Sequence, residues 1–275
     1  MIEKRTLYLC ATPIGNLNDM TFRAVDILKG VDFIAAEDTR HTRKLLAHFD
    51  IHTPLVRYDA NNQSTVGLKL IDRLLNGENA ALVTDAGTPA ISDPGSDLVR
   101  LAIENELDVV PIPGACAAVN ALIASGLDTC RFTFVGFIPS KNRQKLLSEL
   151  RDRHETLIFY EAPHRLQKTL EILFETFGNR RVALARELTK VHEEFIRGRL
   201  GEITVEDPRG EFVLVIEGSD EPRVKEFLDT DVLKVYNDLA DGGVERKEAM
   251  RLTAKRFALS RRDVYQLIIK ETEPL

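Results

Sequence analysis

The stretch that begins at Ala80 constrains the fold most. Four apolar residues, Ala80 to Val83, indicate a strand that is buried on both faces. A loop of small residues with Gly87 and Gly95 at its bends follows, and a helical pattern begins near Ser96. Strand, glycine-containing loop and helix form the ligand crevice of open α/β sheets, at the carboxyl ends of the strands. An ordinary βα turn has the same pattern, so this stretch alone leaves both interpretations open.

The alternation of strands and helices extends over most of the chain. Up to Gly126, apolar runs alternate with helical patterns, which predicts a mainly parallel sheet. A second α/β series begins at Phe132, and the alternating pattern of its last segments favours antiparallel strands, with a hairpin-like stretch expected from Phe195 to Thr204, around Gly198 and Gly201. We therefore expect two α/β domains, residues 1–127 and 128–221, with a cleft between them.

Residues 222–275 have helical patterns only. One helix is predicted from Val224 to Leu239, and two more are joined by a very short turn with Ser260 as the N-cap of the second. Basic residues concentrate in these last two helices, whose spacing resembles a helix-turn-helix. We expect a small, basic helical tail.

Composition excludes several classes of protein. The 44% hydrophobic and 29% charged residues are typical of a globular protein, and the net charge of −6 excludes a wholly basic coat for nucleic acid, although not a local basic patch. No apolar run approaches the roughly 20 residues that cross a bilayer. The three cysteines lie in apolar sequence and are expected to be reduced and buried. We expect a cytoplasmic protein without a membrane partner.

The common catalytic motifs are absent from the sequence. It contains no phosphate-binding Gly-x-x-x-x-Gly-Lys-Ser/Thr loop, no Gly-x-Gly-x-x-Gly after the first strand and no Gly-x-Ser-x-Gly elbow. The six histidines are dispersed without metal-ligand spacing, so no metal site is expected. What remains is a set of loops at the carboxyl ends of predicted parallel strands, which can face one crevice. These loops are Thr12–Asn18, Glu37–Lys44, Tyr58–Gln63, Asp85–Gly95 and Pro113–Ala117.

The longest of these loops carries a resemblance to a known family. Thr84 to Gly95, TDAGTPAISDPG, resembles the signature loop of the tetrapyrrole methylase superfamily, whose members use S-adenosylmethionine. Four further segments resemble the branch that acts on the RNA of the small ribosomal subunit. They are Leu9–Leu17, Ala35–Arg40, Phe159–Arg165 and Ala185–Lys190. The resemblance covers essentially the whole chain, including the basic tail.

The resemblance implies a reaction, a cofactor site and partners. The reaction would be 2′-O-methylation of a cytidine ribose in the decoding region of 16S ribosomal RNA, within the 30S subunit and by a homodimer. S-adenosylmethionine would bind in the interdomain cleft. The residues that would line its site are Pro13, Gly87, Thr88, Ile91, Cys116, Ala117, Ala162, Ala185 and Phe212. Cys116 stands where related enzymes often carry serine or threonine. The alternative for Cys116, Ala162 and Ala185 is plain core packing.

Direct displacement of the methyl group would be assisted by a base that takes the proton of the ribose hydroxyl. Glu37, Asp38 and His41 at the lip of the cleft are candidates, and Lys190 is another if burial lowers its pKa. The alternative for the two acids is a solvated helix N-terminus, where the helix dipole favours negative charge.

Basic residues near the cleft and in the tail are candidates for RNA binding, because they can neutralise phosphates although the whole chain is acidic. These residues are Arg40, Arg43, Lys44, Arg246, Lys247, Arg261 and Arg262. The alternative for the tail is an ordinary solvated pair of helices. Two other functions remain open: methylation of a small tetrapyrrole, which has no use for a basic tail, and a non-catalytic RNA-binding assembly factor.

Overall fold

The computed structural model describes residues 5–220, 229–257 and 259–272. The chain divides into two compact units, Met1–Asp220 and Glu221–Leu275, and each unit is described separately. The first unit contains two five-stranded sheets. In the second, the described residues 229–257 and 259–272 form three helices and the turns between them.

The first sheet is entirely parallel, as predicted, in the order β3-β2-β4-β1-β5. Its strands are β1 (Thr6–Cys10), β2 (Phe33–Ala36), β3 (Leu55–Arg57), β4 (Ala80–Val83) and β5 (Asp108–Ile112). The helices that follow the first four strands are α1 (Phe22–Gly30), α2 (Thr39–His48), α3 (Gln63–Leu75) and α4 (Ser96–Glu104). All four residues of β2 and of β4 are buried, as continuous apolar runs require when helices cover both faces.

The position of the ligand crevice follows from the strand order. Helices α1 and α2 pack on one face of the sheet, and α3 and α4 pack on the other. The chain leaves β1 towards β2 and β3, but leaves β4 in the opposite direction towards β5. Since β1 and β4 are neighbours, the topological switch point lies between them, and the loops at their carboxyl ends are where an open α/β sheet binds its ligand.

The second sheet is mixed, in the order β6-β7-β10-β8-β9. Its strands are β6 (Phe132–Phe137), β7 (Thr156–Glu161), β8 (Arg181–Arg186), β9 (Glu194–Arg199) and β10 (Phe212–Ile216). Only the β6–β7 pair is parallel, and the predicted antiparallel strands are confirmed in the pairs β7–β10, β10–β8 and β8–β9.

Three helices cover the second sheet. Helices α6 (Arg143–Leu150) and α7 (Leu166–Phe177) pack on one face, and α5 (Ala117–Ser125) packs on the other. Helix α5 therefore belongs by its contacts to the second sheet, although it directly follows the last strand of the first. The division of the chain at residues 127 and 128 stays a prediction.

Two expectations from the sequence are wrong. Gly198 lies inside β9 and pairs with Val182, and the turn at Gly201 does not lead to a strand that pairs with β9, so residues 195–204 form no hairpin. The hairpin joins β8 to β9 instead, and its loop uses Glu187 and Thr189 in the left-handed region, with φ of 49° and 65°. Because neither residue is glycine, the turn carries no sequence signal. All three cysteines are expected to be buried, but only Cys10 is: Cys116 is half-buried and Cys130 is exposed.

The helical unit contains α8 (Asp229–Asp241), α9 (Arg246–Arg256) and α10 (Arg261–Thr272). A small apolar core joins the three helices through Val232, Ala254, Val264 and Leu267. Ser260 is the N-cap that the sequence predicts: its hydroxyl accepts the Asp263 N–H at 3.1 Å, and its own N–H donates to the Asp263 carboxylate at 3.1 Å. The first residues of the helix predicted from Val224 lie outside the described residues.

None of the helices in the described ranges has the length and apolar composition needed to cross a bilayer.

Candidate active site

The loops that follow β1 and β4 are held together at the switch point. The Thr12 N–H donates to the Gly87 carbonyl at 2.8 Å, and the Gly87 N–H donates to the Thr12 carbonyl at 3.0 Å. The Thr12 hydroxyl also donates to the Thr84 carbonyl at 3.2 Å. The loop after β4, which runs from Thr84 to Gly95, therefore forms one side of the predicted crevice.

The loop after β4 is tightly bent and strained. Gly87 and Gly95 have φ of 83° and 147°, and Ala90 and Ser92 have φ of 65° and 64°. A Cβ atom at Gly95 would lie 2.9 Å from Leu82 Cδ2, so a larger residue would have to displace the Leu82 side chain. Backbone strain of this kind persists where the surroundings enforce it and clusters at ligand sites.

The loop after β5 closes against the other two. The Thr88 hydroxyl donates to the Ala115 carbonyl at 3.0 Å, and a Cβ atom at Gly114 would lie 2.8 Å from Ala11 Cβ. Cys116 follows as the N-cap residue of α5. Small residues therefore allow these three loops to approach one another closely at one edge of the sheet.

The second sheet and its loops form the opposite side of the cleft. A Cβ atom at Gly15 would lie 2.5 Å from Lys190 Cγ and 3.0 Å from the Leu188 carbonyl oxygen. A Cβ atom at Gly136 would lie 3.0 Å from Ser92 Oγ. The strained β4 loop thus faces the second sheet, as a ligand site between the two sheets requires.

The charged residues of the segment Phe159–Arg165 hold that side in place. Glu161 is buried, and its carboxylate accepts the Ala162 N–H at 2.8 Å and the Thr169 hydroxyl at 2.6 Å. Arg165 lies 3.4 Å from the same carboxylate and donates to the Ile138 carbonyl at 2.7 Å. These contacts fix the turn that carries Ala162, so Glu161 and Arg165 have a structural role.

The two acids at the start of α2 differ in their chemistry. Asp38 caps the helix by accepting the Arg40 N–H at 2.8 Å, and hydrogen bonds from the Arg40 side chain and backbone hold the pKa of Asp38 well below its usual range. Burial, and then the charge of Asp85, raise the pKa of Glu37. A base is most effective when its pKa is near the working pH, so the site favours Glu37 over Asp38.

The other two predicted bases are less suited. His41 is exposed on α2. Burial by itself would lower the pKa of Lys190, but its 2.8 Å hydrogen bond to Glu187 and the charge of Glu211 raise it overall. The condition under which Lys190 could act as a base is therefore not met, and the residue stays protonated.

Sequence reasoning missed two residues of the cleft. Burial raises the pKa of Asp93 in the β4 loop to about 6, and the charges of Glu37 and Asp85 add to the shift. Burial also raises the pKa of Tyr160 to about 12, with contributions from Cys116 and Asp93. The Tyr160 hydroxyl accepts the Ala118 N–H at 3.2 Å, which ties β7 to the start of α5. Neither could be found from sequence, because both depend on which loops meet.

The residues predicted to bind the cofactor fall into two groups. Those at the carboxyl edge of the first sheet and around the start of α5 lie in or beside the three packed loops; they are Pro13, Gly87, Thr88, Ile91, Cys116 and Ala117. Ala162 is half-buried, and Ala185 is buried on the face that α5 covers. The side chain of Phe212 lies in the core on the opposite face, so a ligand could reach only its backbone.

The residues predicted to bind RNA lie in both units. Near the cleft, Arg40 pairs with Asp38 at 2.8 Å, whereas Arg43 and Lys44 are exposed on α2. A charged cleft of about 570 Å³ lies beside them, lined by residues of the β2 and β3 loops that include Arg57 and Asp59. In the helical unit the four predicted residues are all exposed; they are Arg246, Lys247, Arg261 and Arg262.

Fold and site together define an α/β enzyme with a ligand site at the switch point of a parallel sheet, facing a second sheet. Residues 6–204 match the family of Tetrapyrrole (Corrin/Porphyrin) Methylases. The solved structures of uroporphyrin-III-C-methyltransferase from Thermus thermophilus and of diphthine synthase share this fold. The first has a TM-score of 0.55 at 22% identity over 77% of this chain and 94% of its own. The second has a TM-score of 0.62 at 14% identity over 78% and 90%.

Curated relatives resemble the whole chain more closely. The chain is 49% identical to Ribosomal RNA small subunit methyltransferase I of Halalkalibacterium halodurans, over 98% of this chain and 96% of the relative. It is 48% identical to the protein of the same name from Bacillus subtilis, over 94% and 92%. The chain therefore belongs to the tetrapyrrole methylase family, in the branch of these methyltransferases, and is an S-adenosylmethionine-dependent methyltransferase.

The residues of the cleft fit this cofactor. The buried hydroxyls of Thr84 and Thr189 have no hydrogen-bond partner among the described residues, and one lies at the end of β4 while the other lies against Gly15. Buried polar atoms without partners are rare and call for an explanation such as a ligand. An adenosine and an amino acid group offer the donors and acceptors that such atoms and an open backbone need.

Proposed function

We propose that this protein methylates the 2′-hydroxyl of a cytidine ribose in the decoding region of 16S ribosomal RNA, within the 30S subunit. The observation that carries the proposal is the similarity to methyltransferases named for the small ribosomal subunit, which extends over 94% or more of this chain. The exposed basic helices support an RNA substrate, since a small tetrapyrrole would not need them.

The chain contributes mainly positioning. S-adenosylmethionine, when bound, supplies a methyl group on a positively charged sulfur. Residues of the β1, β4 and β5 loops, among them Gly87 and Cys116, would hold it through their backbone, and the fixed contacts between Thr12 and Gly87 keep this surface rigid. Alignment of the reacting atoms by a rigid surface can supply several kcal/mol of the barrier reduction.

An acid with a raised pKa would remove the ribose proton. Glu37 and Asp93 are the two acids of the cleft with raised pKa values, and they lie close enough for their charges to interact. We infer that one of them is the base, whereas Asp38 serves as the cap of α2. The dependence of kcat on pH should be measured for Glu37→Gln and for Asp93→Asn. Only the variant that lacks the base should lose the acidic limb of the pH–rate profile, and its kcat should fall by about 10²–10⁴.

Asp38→Ala should retain most of the rate. A loss of turnover with unchanged binding of S-adenosylmethionine in Asp38→Ala would instead return Asp38 to the role of base.

RNA would be held at two places. Arg43 and Lys44 are exposed beside the cleft, and Arg261 and Arg262 are exposed at the start of α10, the second helix of the helix-turn-helix-like pair. Neutralising both tail arginines, as Arg261→Gln with Arg262→Gln, should lower the slope of log affinity against log salt by about 1–2. We further propose that the protein works as a homodimer in the cytoplasm, which sedimentation of the purified chain and fractionation of cells would test.

The decisive experiment is transfer of a tritiated methyl group from S-adenosylmethionine to 30S subunits that lack the modification. Free transfer RNA and a porphyrinogen serve as control acceptors. We expect the label in 16S ribosomal RNA, and after alkaline hydrolysis we expect it in a dinucleotide. A 2′-O-methyl group blocks cleavage of the phosphodiester bond on its 3′ side, so the methylated nucleotide stays joined to the next one. Label in the porphyrinogen alone, or in no acceptor, would overturn the proposal.

A further inference from the structure

Three aromatic rings cluster on the second sheet outside its main core. The ring centres of Phe134 and Phe137 lie 5.1 and 5.5 Å from that of Tyr160, both in edge-to-face geometry. Phe137 is 55% exposed, whereas Phe134 and Tyr160 are half-buried. The outer ring is thus supported by two inner rings and open to solvent on its other side.

A β-bulge creates this cluster. Residues three apart on a regular strand point to opposite faces, so Phe134 and Phe137 should not reach the same ring. The pairing of β6 with β7 shifts register between Phe134 and Gly136, and Gly136 has a φ of 73°. Bulges re-aim side chains and occur frequently next to active sites.

The aromatic cluster borders the proposed cofactor site. The Tyr160 hydroxyl accepts the N–H of Ala118, two residues beyond Cys116, and a Cβ atom at Gly136 would lie 3.0 Å from Ser92 Oγ in the β4 loop. A ligand that rests on Phe137 would therefore lie next to the loops that hold the methyl donor.

The chain that follows Phe137 is basic. Residues 138–145 contain Lys141, Arg143 and Lys145 and no acid. Lys141 and Lys145 are exposed, and Asn142 between them adopts a left-handed conformation with φ of 59°. An exposed aromatic ring that is followed along the chain by three basic residues matches the faces and the phosphates of an unpaired nucleic acid strand.

We propose that Phe137, supported by Phe134 and Tyr160, is the surface on which the base of the target nucleotide stacks, while Lys141, Arg143 and Lys145 contact the neighbouring phosphates. This inference rests on the proposed function. A ribose hydroxyl inside a stacked strand is poorly accessible, so its nucleotide has to be turned out, and stacking on an aromatic ring offsets part of that cost.

Kinetics with matched variants test the proposal. Phe137→Ala should raise the KM for undermethylated 30S subunits by about 10-fold or more, with binding of S-adenosylmethionine by calorimetry unchanged. Phe132→Ala is the control, because Phe132 begins the same strand, is 46% exposed and lies about 16 Å away along it. Equal KM values for Phe137→Ala and Phe132→Ala would overturn the inference.

A fluorescence measurement is independent of turnover. The chain contains no tryptophan, so Phe137→Trp and Phe132→Trp each introduce a single reporter. Emission from position 137 should be quenched by a cytidine-containing RNA oligonucleotide and not by an oligomer of equal length and charge without bases, and position 132 should respond to neither.

Equal quenching by both oligomers, or none by either, would overturn the stacking role even if Phe137→Ala proved unstable. Failure of the wild-type protein to methylate 30S subunits would count against the proposed function. The fluorescence measurement would still test the stacking role, because it does not depend on turnover.

Discussion

The two sides of the cleft are built in opposite ways. On the first sheet, the side is backbone: Gly87, Ala90 and Ser92 have almost no side chain and hold left-handed conformations. On the second sheet, the side consists of large side chains such as Tyr160 and Lys190, each held by a hydrogen bond or ion pair. The first side has small residues, so a ligand can approach its main chain. The second side offers large side chains for contact with the ligand.

This difference determines how each side can be damaged. The first side should fail when atoms are added, because its loops already touch. The second should fail when atoms are removed, because its polar groups are buried in mutual contacts. Substitutions that add atoms to the first side and substitutions that remove atoms from the second therefore test the comparison.

Removal of a buried carboxylate on the second side should have the largest effect. Glu161→Ala leaves the Ala162 N–H, the Thr169 hydroxyl and Arg165 without their shared acceptor. Loss of one partner of a buried ion pair costs about 3–5 kcal/mol, which corresponds to roughly 6–20 °C in Tm. Calorimetric melting measures the loss.

Two variants serve as controls for that experiment. Glu161→Gln keeps part of the hydrogen bonding and should give an intermediate Tm. Glu149→Ala, on the exposed face of α6, should change stability by no more than about 0.5 kcal/mol. A Tm for Glu161→Ala equal to that of Glu149→Ala would mean that Glu161 is not the anchor of this side.

Addition of atoms on the first side should weaken binding of the donor. In Gly87→Val, a β-branched residue would have to adopt a φ of 83°, and its Cβ would lie 3.3 Å from Ile14 Cγ2. We expect affinity for S-adenosylmethionine, measured by calorimetry, to fall about 100-fold, equivalent to about 2.7 kcal/mol. Gly77→Val shares the strain, with φ of 100° and no atom within 4 Å, and should bind normally.

If Gly77→Val lost affinity equally, the effect would be one of stability and not of crowding in the cleft.

A compensating pair makes the comparison sharper. Gly114→Ala places a Cβ 2.8 Å from Ala11 Cβ, and the next nearest atom is at an ordinary 3.5 Å. We expect about a 10-fold loss of donor affinity from the single variant, since the loops must separate by a few tenths of an ångström. Ala11→Gly with Gly114→Ala removes the clash and should restore affinity. If the double variant did not regain affinity for the donor, a contact other than the one with Ala11 Cβ would explain why the β5 loop does not tolerate a Cβ atom at position 114.

The sequence predicted the first side better than the second. Strands such as Phe33–Ala36 and Ala80–Val83 are continuous apolar runs, and their loops can be placed because carboxyl ends of parallel strands share an edge. The second side depends on pairings between distant residues. Phe137 reaches Tyr160 only because a bulge shifts the register, and sequence periodicity does not encode that shift.

Chemistry was the least predictable part of the site. Sequence reasoning placed Asp38 and Glu37 together as candidate bases, yet one is the cap of α2 with a lowered pKa and the other has a raised pKa. The difference arises because Arg40 folds back onto Asp38, whereas Glu37 is half-buried near Asp85 from another loop. Asp93 was missed for the same reason.

Substitution of Asp93 should have the smallest effect on the protein, a change in stability that depends on pH. Its pKa rises from an ordinary 3.8 to about 6 in the folded protein, so the folded state binds more protons than the unfolded state between these values. Stability should therefore fall as pH rises from about 4 to 6 and stay reduced above it. Asp93→Asn removes the penalty and should stabilise the protein at pH 7.5 by about 1 kcal/mol after allowance for solvent screening, with no gain at pH 4.

Melting curves of Asp93→Asn and wild type at pH 4, 6 and 7.5 measure this effect, with exposed Asp152→Asn as the control. The expected difference in Tm grows with pH for Asp93→Asn and stays flat for Asp152→Asn. A positively charged donor should favour the ionised form of Asp93, so its affinity for the wild type should rise over the same pH interval. A Tm difference independent of pH would place Asp93 outside the group of interacting acids and would weaken the case for it as the base.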